Sequence, residues 1–191
     1  MIASAVHQAI CRRFATLLSY PTNGVQQVSA ACASLLRGVR PEAAASLDRF
    51  GDFLRTHAAT QVEEVYTSTF DLQPVCCPYV GYQLCGESQR RALFLVKLRQ
   101  LYRQYGFPSG VELPDHLSTV LRFVGTVSDP LCRQEIVEDG LRPALANMLH
   151  GLDAARQPYA DLLKALQSFL TETADTTSAR LRVVRRKECR S

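Results

Sequence analysis

Long apolar runs are missing from this chain. The longest uninterrupted ones, such as Ala92 to Val96, fall far short of the roughly 18 residues that suggest a membrane span, so no stable membrane insertion is expected. Strand-like alternation bounded by hairpin turns is also missing, which argues against a sheet protein. The four histidines, His7, His57, His116 and His150, are scattered and make no H-E-x-x-H pair, so the helix-borne zinc site of metalloproteases is excluded. Seven cysteines, an odd number in 191 residues, do not form the even framework of small secreted domains. Reduced thiols in a cytoplasmic protein are the expectation.

What is present is ordinary for a globular protein: 47% hydrophobic and 21% charged residues in 21.2 kDa, enough for one domain with its own core. The charge is uneven. From Arg180 to Ser191, six cations face Glu188, a net of +5, which leaves about −1 for the rest of a chain whose formal charge is +4. Such a tail can touch nucleic acid or anionic lipid, but a solvated, flexible tail is the simpler reading. The division expected is therefore a helical domain over 1–172 and a polar, basic, flexible tail over 173–191. The body carries no sign of a nucleic-acid-binding domain, and no nucleic-acid partner is expected.

Arg12-Arg13-Phe14 superficially resembles a twin-arginine export signal. The stretch after it, Ala15 to Tyr20, is too short for an export core and runs into Pro21 without a small-residue cleavage site. The two arginines fit the polar face of an amphipathic helix instead.

Helical periodicity dominates. Helices are expected over about 4–20, 24–36 and 41–57, with Pro41 at a first helical position. Thr60-Gln-Val-Glu63 reads as a capping box that starts a helix running to about Leu72. Pro74 and Pro78 then make a loop. The clearest helix runs from about Glu87 to Tyr105, with Phe94, Leu98, Leu101 and Tyr105 inward and Lys97, Gln100 and Gln104 outward. Pro114 and Asp115 are expected in the first turn of a helix reaching about Val127. Asp129-Pro130 caps a helix over 131–138, Gly140 and Pro143 imply a break before 144–152, and a last helix covers 158–170. The fold class expected is all-α, one domain of eight or nine helices.

Three apparent chemical motifs fail on their spacing. Cys76, Cys77 and Cys85 do not match the paired C-x2-C units of a structural zinc site; a cysteine-based redox or metal-binding protein is the alternative they leave open. Gly81 to Ser88 is a near miss to a phosphate-binding loop, but Glu87 stands where its lysine belongs and no strand precedes it. Asp115 and His116 are adjacent, so on a helix they point about 100° apart and cannot orient one another. No enzyme is expected, and no cofactor.

The most informative residues lie between Glu64 and His116. Glu64-Val-Tyr66-Thr-Ser-Thr-Phe70-Asp71 closes a helix, Pro78-Tyr79-Val-Gly-Tyr82 follows in a cysteine-bearing loop, Gly86-Glu87-Ser88-Gln-Arg90 comes next, and Glu112-Leu-Pro114-Asp115-His116-Leu117 opens another helix. Tyr66 and Phe70 share a helix face, the usual arrangement of core aromatics. Tyr79 and Tyr82 sit in a proline-flanked loop, where tyrosine is favoured for recognition.

In order and spacing these segments resemble the NarJ branch of the TorD/DmsD/NarJ family of molybdoenzyme chaperones, closely over about 62–124 and by helix order to about Leu170. The resemblance implies a cytoplasmic, non-enzymatic chaperone for one enzyme. Its expected partner is the catalytic subunit of a molybdenum enzyme, bound through an N-terminal or twin-arginine-like segment and held until its cofactor is inserted. Proteins of molybdenum cofactor biosynthesis are a further expected partner class. The peptide-binding residues it implies are Asp115 and His116, with Tyr66, Phe70, Pro78, Tyr79, Tyr82, Glu112 and Pro114 around them.

Charge reversal at Asp115 is accordingly expected to weaken peptide binding more than folding. Glu63, Glu64, Asp71, Glu87, Glu112 and Asp115 supply carboxylates for a cationic peptide. The basic helix with Arg90, Arg91, Lys97, Arg99 and Arg103 is expected to face away from that peptide or meet an acidic part of the client. Cys76-Cys77 and Val80-Gly81-Tyr82 depart from the family pattern. They leave a nitrate reductase and a relative acting on another oxyanion or organic substrate equally open as clients.

Overall fold

The computed structural model describes residues 4–72, 76–108, 110–152 and 157–171; the basic tail lies outside them. Three amphipathic helices come first: α1 (Ser4–Leu17), α2 (Val25–Arg37) and α3 (Pro41–Thr56). They are followed by α4 (Ala59–Phe70), the short α5 (Val80–Cys85), α6 (Gln89–Gln104) and α7 (Leu117–Thr126). A continuous rod comprises α8 (Pro130–Glu135), a π-helical stretch (Ile136–Leu141) and α9 (Arg142–Gly151), and α10 covers 158–171. Counting that rod once gives nine helical elements among the described residues, with no strand among them beyond one isolated bridge. No described helix is long and apolar enough to cross a membrane.

The core is built around α1, α7 and α10. Ile10, Phe14, Leu121, Val124, Leu162, Leu166 and Phe169 are all essentially without exposed surface. α1 and α7 approach closely because Gly125 has no side chain: a Cβ there would lie 2.9 Å from that of Cys11. At the other end of α10, Tyr159 packs against Phe50, Tyr66 and Phe70, with ring centroids 5.0–5.7 Å apart. A second, smaller cluster joins α6 to α7 through Leu98, Tyr102, Phe123 and Val127.

Several boundaries differ from the sequence expectation, each for a local reason. α4 starts at Ala59 and not at a Thr60 cap: the Ala58 amide donates to Gln61 Oε1 (3.0 Å), so Gln61 supplies the reciprocal half of a capping box that Glu63 was expected to make. Gly140 and Pro143 do not break the chain. A π turn absorbs them, leaving Pro143 in the first turn of α9, where its missing N–H costs little. Asp129 caps α8 as expected, its Oδ1 accepting from the amides of Leu131 (2.9 Å) and Cys132 (3.3 Å) while Tyr105 donates to its other oxygen. On α6 the fully buried aromatic is Tyr102; Tyr105 is only partly covered.

His7 lies buried on α1, its ring 5.4 Å from that of Phe169. Burial, and then the nearby Arg133 guanidinium, lower its pKa from 6.5 to about 4. The folded protein therefore keeps His7 neutral over a range in which the unfolded chain binds a proton. Stability from this residue is intact above about pH 6.5 and falls as pH drops toward 4, by up to about 3 kcal/mol. Urea denaturation of the wild type and His7→Leu across that window checks this: the wild type is expected to lose stability more steeply than the variant. Parallel curves would mean that His7 is protonated in the fold.

Candidate functional site

The segments singled out in the sequence meet in space, through backbone before side chains. Tyr79 and His116 form the isolated antiparallel bridge: the Val80 amide donates to the Asp115 carbonyl (2.8 Å) and the Leu117 amide to the Pro78 carbonyl (2.7 Å). Pro78 and Pro114 are buried beside it, and Tyr102 Oη donates to the Pro114 carbonyl (2.8 Å). The Tyr79 and His116 rings stand edge to face with centroids 5.3 Å apart.

Under this bridge lies an ion pair that sequence reasoning missed. Arg91 turns inward from α6, and its Nε donates to Asp115 Oδ2 at 3.1 Å; its Nη1 donates to Glu87 one turn earlier. Asp115 has no exposed surface, and its Oδ1 has no hydrogen-bond partner among the described residues. Burial alone would lower the Arg91 pKa, but Asp115 and Glu87 hold it raised. The guanidinium carbon lies 5.3 Å from the Tyr79 ring centroid and 5.8 Å from that of Tyr82, within cation–π range. Gly81 makes the space: a Cβ there would stand 2.8 Å from both Asp115 Oδ2 and Phe94 Cδ1. The sequence signal for Arg91 was Glu87 four residues earlier, an orientation that favours an ion pair on a helix.

The expected site residues thus separate into a frame and a surface. Tyr66 and Phe70 are buried, 5.0 Å apart, in the aromatic cluster around Tyr159. Asp115 and His116 are buried too, and neither lies in the helix: α7 begins at Leu117. His116 is its N-cap, with Nδ1 accepting from the Ser118 amide (3.2 Å) and sitting 2.8 Å from Ser118 Oγ. Tyr82 stands on α5, where a loop was expected. Tyr79 and Tyr82 are half-buried, and Glu112 is exposed.

Around Tyr79 the surface is acidic and apolar. Partial burial, and then the Glu112 and Asp115 carboxylates, raise the pKa of its hydroxyl against the Arg91 guanidinium, with Asp71 adding least. Asp71 and Glu112 also act on Tyr66 and His116, and at His116 the exposed Arg122 opposes them. Leu72, Val111 and Leu113 expose large apolar surface on the segments carrying these acids, and Tyr20, half exposed, packs edge-on against Tyr66.

The Ser118–His116 contact has the composition of a nucleophile and base, but both residues are buried and the imidazole nitrogen serves as a helix cap. Burial lowers the His116 pKa, so its ring is neutral at neutral pH. Burial pushes the Cys76 thiol up to about 12 and raises that of Cys77, so neither is a ready thiolate. Among the described residues, no three His, Cys, Asp or Glu side chains are grouped to hold a metal ion.

Fold and site together define an all-helical domain with a half-buried aromatic surface over an ion-paired frame. Residues 37–175 match the family model described as nitrate reductase delta subunit, and the chain belongs to that family. It is 31% identical over 151 residues to the nitrate reductase-like protein NarX of Mycobacterium tuberculosis, covering 78% of this chain and 22% of NarX. Over 124 residues it is 34% identical to NarJ of Bacillus subtilis, described as a nitrate reductase molybdenum cofactor assembly chaperone, covering 62% of this chain and 65% of that one. The chain thus spans about a fifth of the length of NarX and just under two thirds of that of NarJ. Among solved structures, one described as a redox enzyme maturation protein from Archaeoglobus fulgidus shares the fold, with a TM-score of 0.60 and 22% identity over 86% of this chain and 93% of that one.

The buried pair makes a direct prediction. Asp115→Lys sets two cations together without water and should cost about 4 kcal/mol, whereas Arg91→Met with Asp115→Leu, which removes both charges, should recover much of that loss. Urea midpoints decide it. A wild-type midpoint for Asp115→Lys would place the carboxylate in solvent. The expectation that charge reversal here weakens peptide binding before folding is thereby reversed, because the side chain has no exposed surface to lose.

Proposed function

We propose that this protein is a non-enzymatic, cytoplasmic maturation chaperone. It binds the N-terminal segment of the catalytic subunit of a nitrate-reductase-like molybdenum enzyme and releases it once the cofactor is in place. The observation that carries this reading is the half-buried Tyr79, pinned by the bridge to His116 and acted on by the Glu112 carboxylate and, more weakly, by Asp71. An aromatic face held rigid by backbone bonds loses little entropy on binding, and the carboxylates beside it suit a segment that is apolar with a cationic end. Membership of the nitrate reductase delta subunit family and the similarity to NarJ support the same client class.

Within this reading the peptide meets Tyr79, Tyr82 and Glu112 directly. Pro78, Pro114, Asp115 and His116 hold those groups in place from below, and Tyr66 and Phe70 form the floor. Proteins of molybdenum cofactor biosynthesis are the partners that would act on the chaperone–client complex.

Titration of the full chain with the client's N-terminal peptide tests the proposal. Binding at about 50 μM or tighter is expected, and Tyr79→Ala or Glu112→Lys should each weaken it by about tenfold. Neither variant should lower the melting temperature as far as Asp115→Lys does. Absence of binding at that concentration, or equal affinity in all three proteins, would overturn the assignment of this surface.

A further inference from the structure

α6 carries charge that the proposed function does not use. No acidic residue occurs between Glu87 and Glu112, while Arg90, Arg91, Lys97, Arg99 and Arg103 all fall on this helix. Arg91 is neutralised inside. The other four are exposed, and among the described residues none of their side chains takes part in an ion pair or hydrogen bond.

Helical geometry sorts them. At about 100° per residue, Leu93, Val96 and Gln100 stack in one row on the side opposite Arg91, Leu98 and Tyr102. Arg90 and Lys97 run along one flank of that row, and Arg99 and Arg103 along the other. Leu93 and Val96 are 59% and 50% exposed, among the most open large apolar side chains described. An apolar pair, Leu93 and Val96, bordered on both sides by cations that are unpaired among the described residues, is the complement of an apolar stripe bordered by carboxylates.

We infer that the outward face of α6 is a second docking surface, which takes an acidic amphipathic helix from a partner polypeptide. The partner's apolar residues pack between Leu93 and Val96, and its Asp and Glu side chains meet the four cations. A second copy of this chain is a poor occupant, since the same four cations would face one another. A membrane surface is disfavoured as well, because two aliphatic side chains and no tryptophan offer little area to insert. The inference does not depend on what the Tyr79 surface holds, which lies on the Arg91 side of the helix.

The test uses the full chain and a fluorescent synthetic helix of about 18 residues, with leucines at i, i+3, i+4 and i+7 flanked by glutamates. Anisotropy should show binding at low salt that weakens about tenfold in Leu93→Ser/Val96→Ser and again in Lys97→Glu/Arg103→Glu. Arg37→Glu/Arg55→Glu, which changes net charge equally on α2 and α3, should bind as the wild type does. All three double variants alter exposed side chains, and matching melting temperatures confirm that they fold.

Equal binding of polyglutamate, indifference to the leucine and valine changes, or equal loss in the α2/α3 variant would reduce the effect to general electrostatics and overturn the proposal. Co-sedimentation with phosphatidylglycerol vesicles that depends on Leu93 and Val96, with no peptide binding, would overturn it in favour of lipid.

Discussion

The buried contact between Arg91 and Asp115 is what the rest of this surface depends on. It ties α6 to the turn before α7, passes beneath Gly81 on α5, and places a guanidinium against Tyr79 and Tyr82. In energy alone such a pair is weak evidence for stability, because desolvation cancels much of the attraction, and here one carboxylate oxygen has no partner among the described residues. Its value is positional. Arg91 cannot leave without stranding a charge in the interior, so the register between α6 and the 112–116 turn is fixed. The bridge at Tyr79 and His116 then fixes the aromatic edge relative to the helices.

Charge is sorted around this contact. The one cation of α6 that points inward is paired with Asp115 and Glu87, and among the charged groups acting on Tyr79 the exposed Glu112 carboxylate is the strongest. The remaining cations of the same helix point the other way. One helix therefore separates an acidic face from a basic one, and the opposite signs keep a single charged segment from being held equally well on both. The domain apart from its basic tail sums to about −1, so this separation is invisible in net charge.

Most of the helical order was legible in the sequence, because long amphipathic helices with proline or glycine punctuation announce themselves through periodicity. The Asp129-Pro130 cap and the ends of α1 to α4 and α6 follow from such local signals. What local signals could not supply was anything decided by packing. The helix α5 is too short to show a period, and its first residue, Val80, is held by a bond to Asp115, about 35 positions away. The continuity of α8 into α9 depends on a π turn that neutralises the effect of Pro143. Pro114 so often opens a helix that Asp115 reads as a first-turn acid, but Pro114 and Asp115 form a turn closed by the His116 amide on the Leu113 carbonyl (3.0 Å), and the backbone pairing at Val80 and Leu117 delays the helix to Leu117.

The same reasoning explains why the most distinctive residues of the site need not be its contacts. Pro78, Pro114, Asp115, His116, Tyr66 and Phe70 are buried, and each is committed to a backbone bond, an ion pair, a helix cap or a packed ring. Changing any of them disturbs the frame, so they define the shape of the surface. Selectivity for one ligand over another has to come from groups that can change without unfolding the protein, and surface substitutions are usually worth less than about 0.5 kcal/mol in stability. Glu112 and Asp71, whose carboxylates act on Tyr79, are such groups, and Leu72, Val111 and Leu113 beside them in the sequence are exposed as well. Under the proposed function, a buried frame with an exposed rim places selectivity for a client segment in the rim, whose residues can be changed without breaking the bonds of the frame.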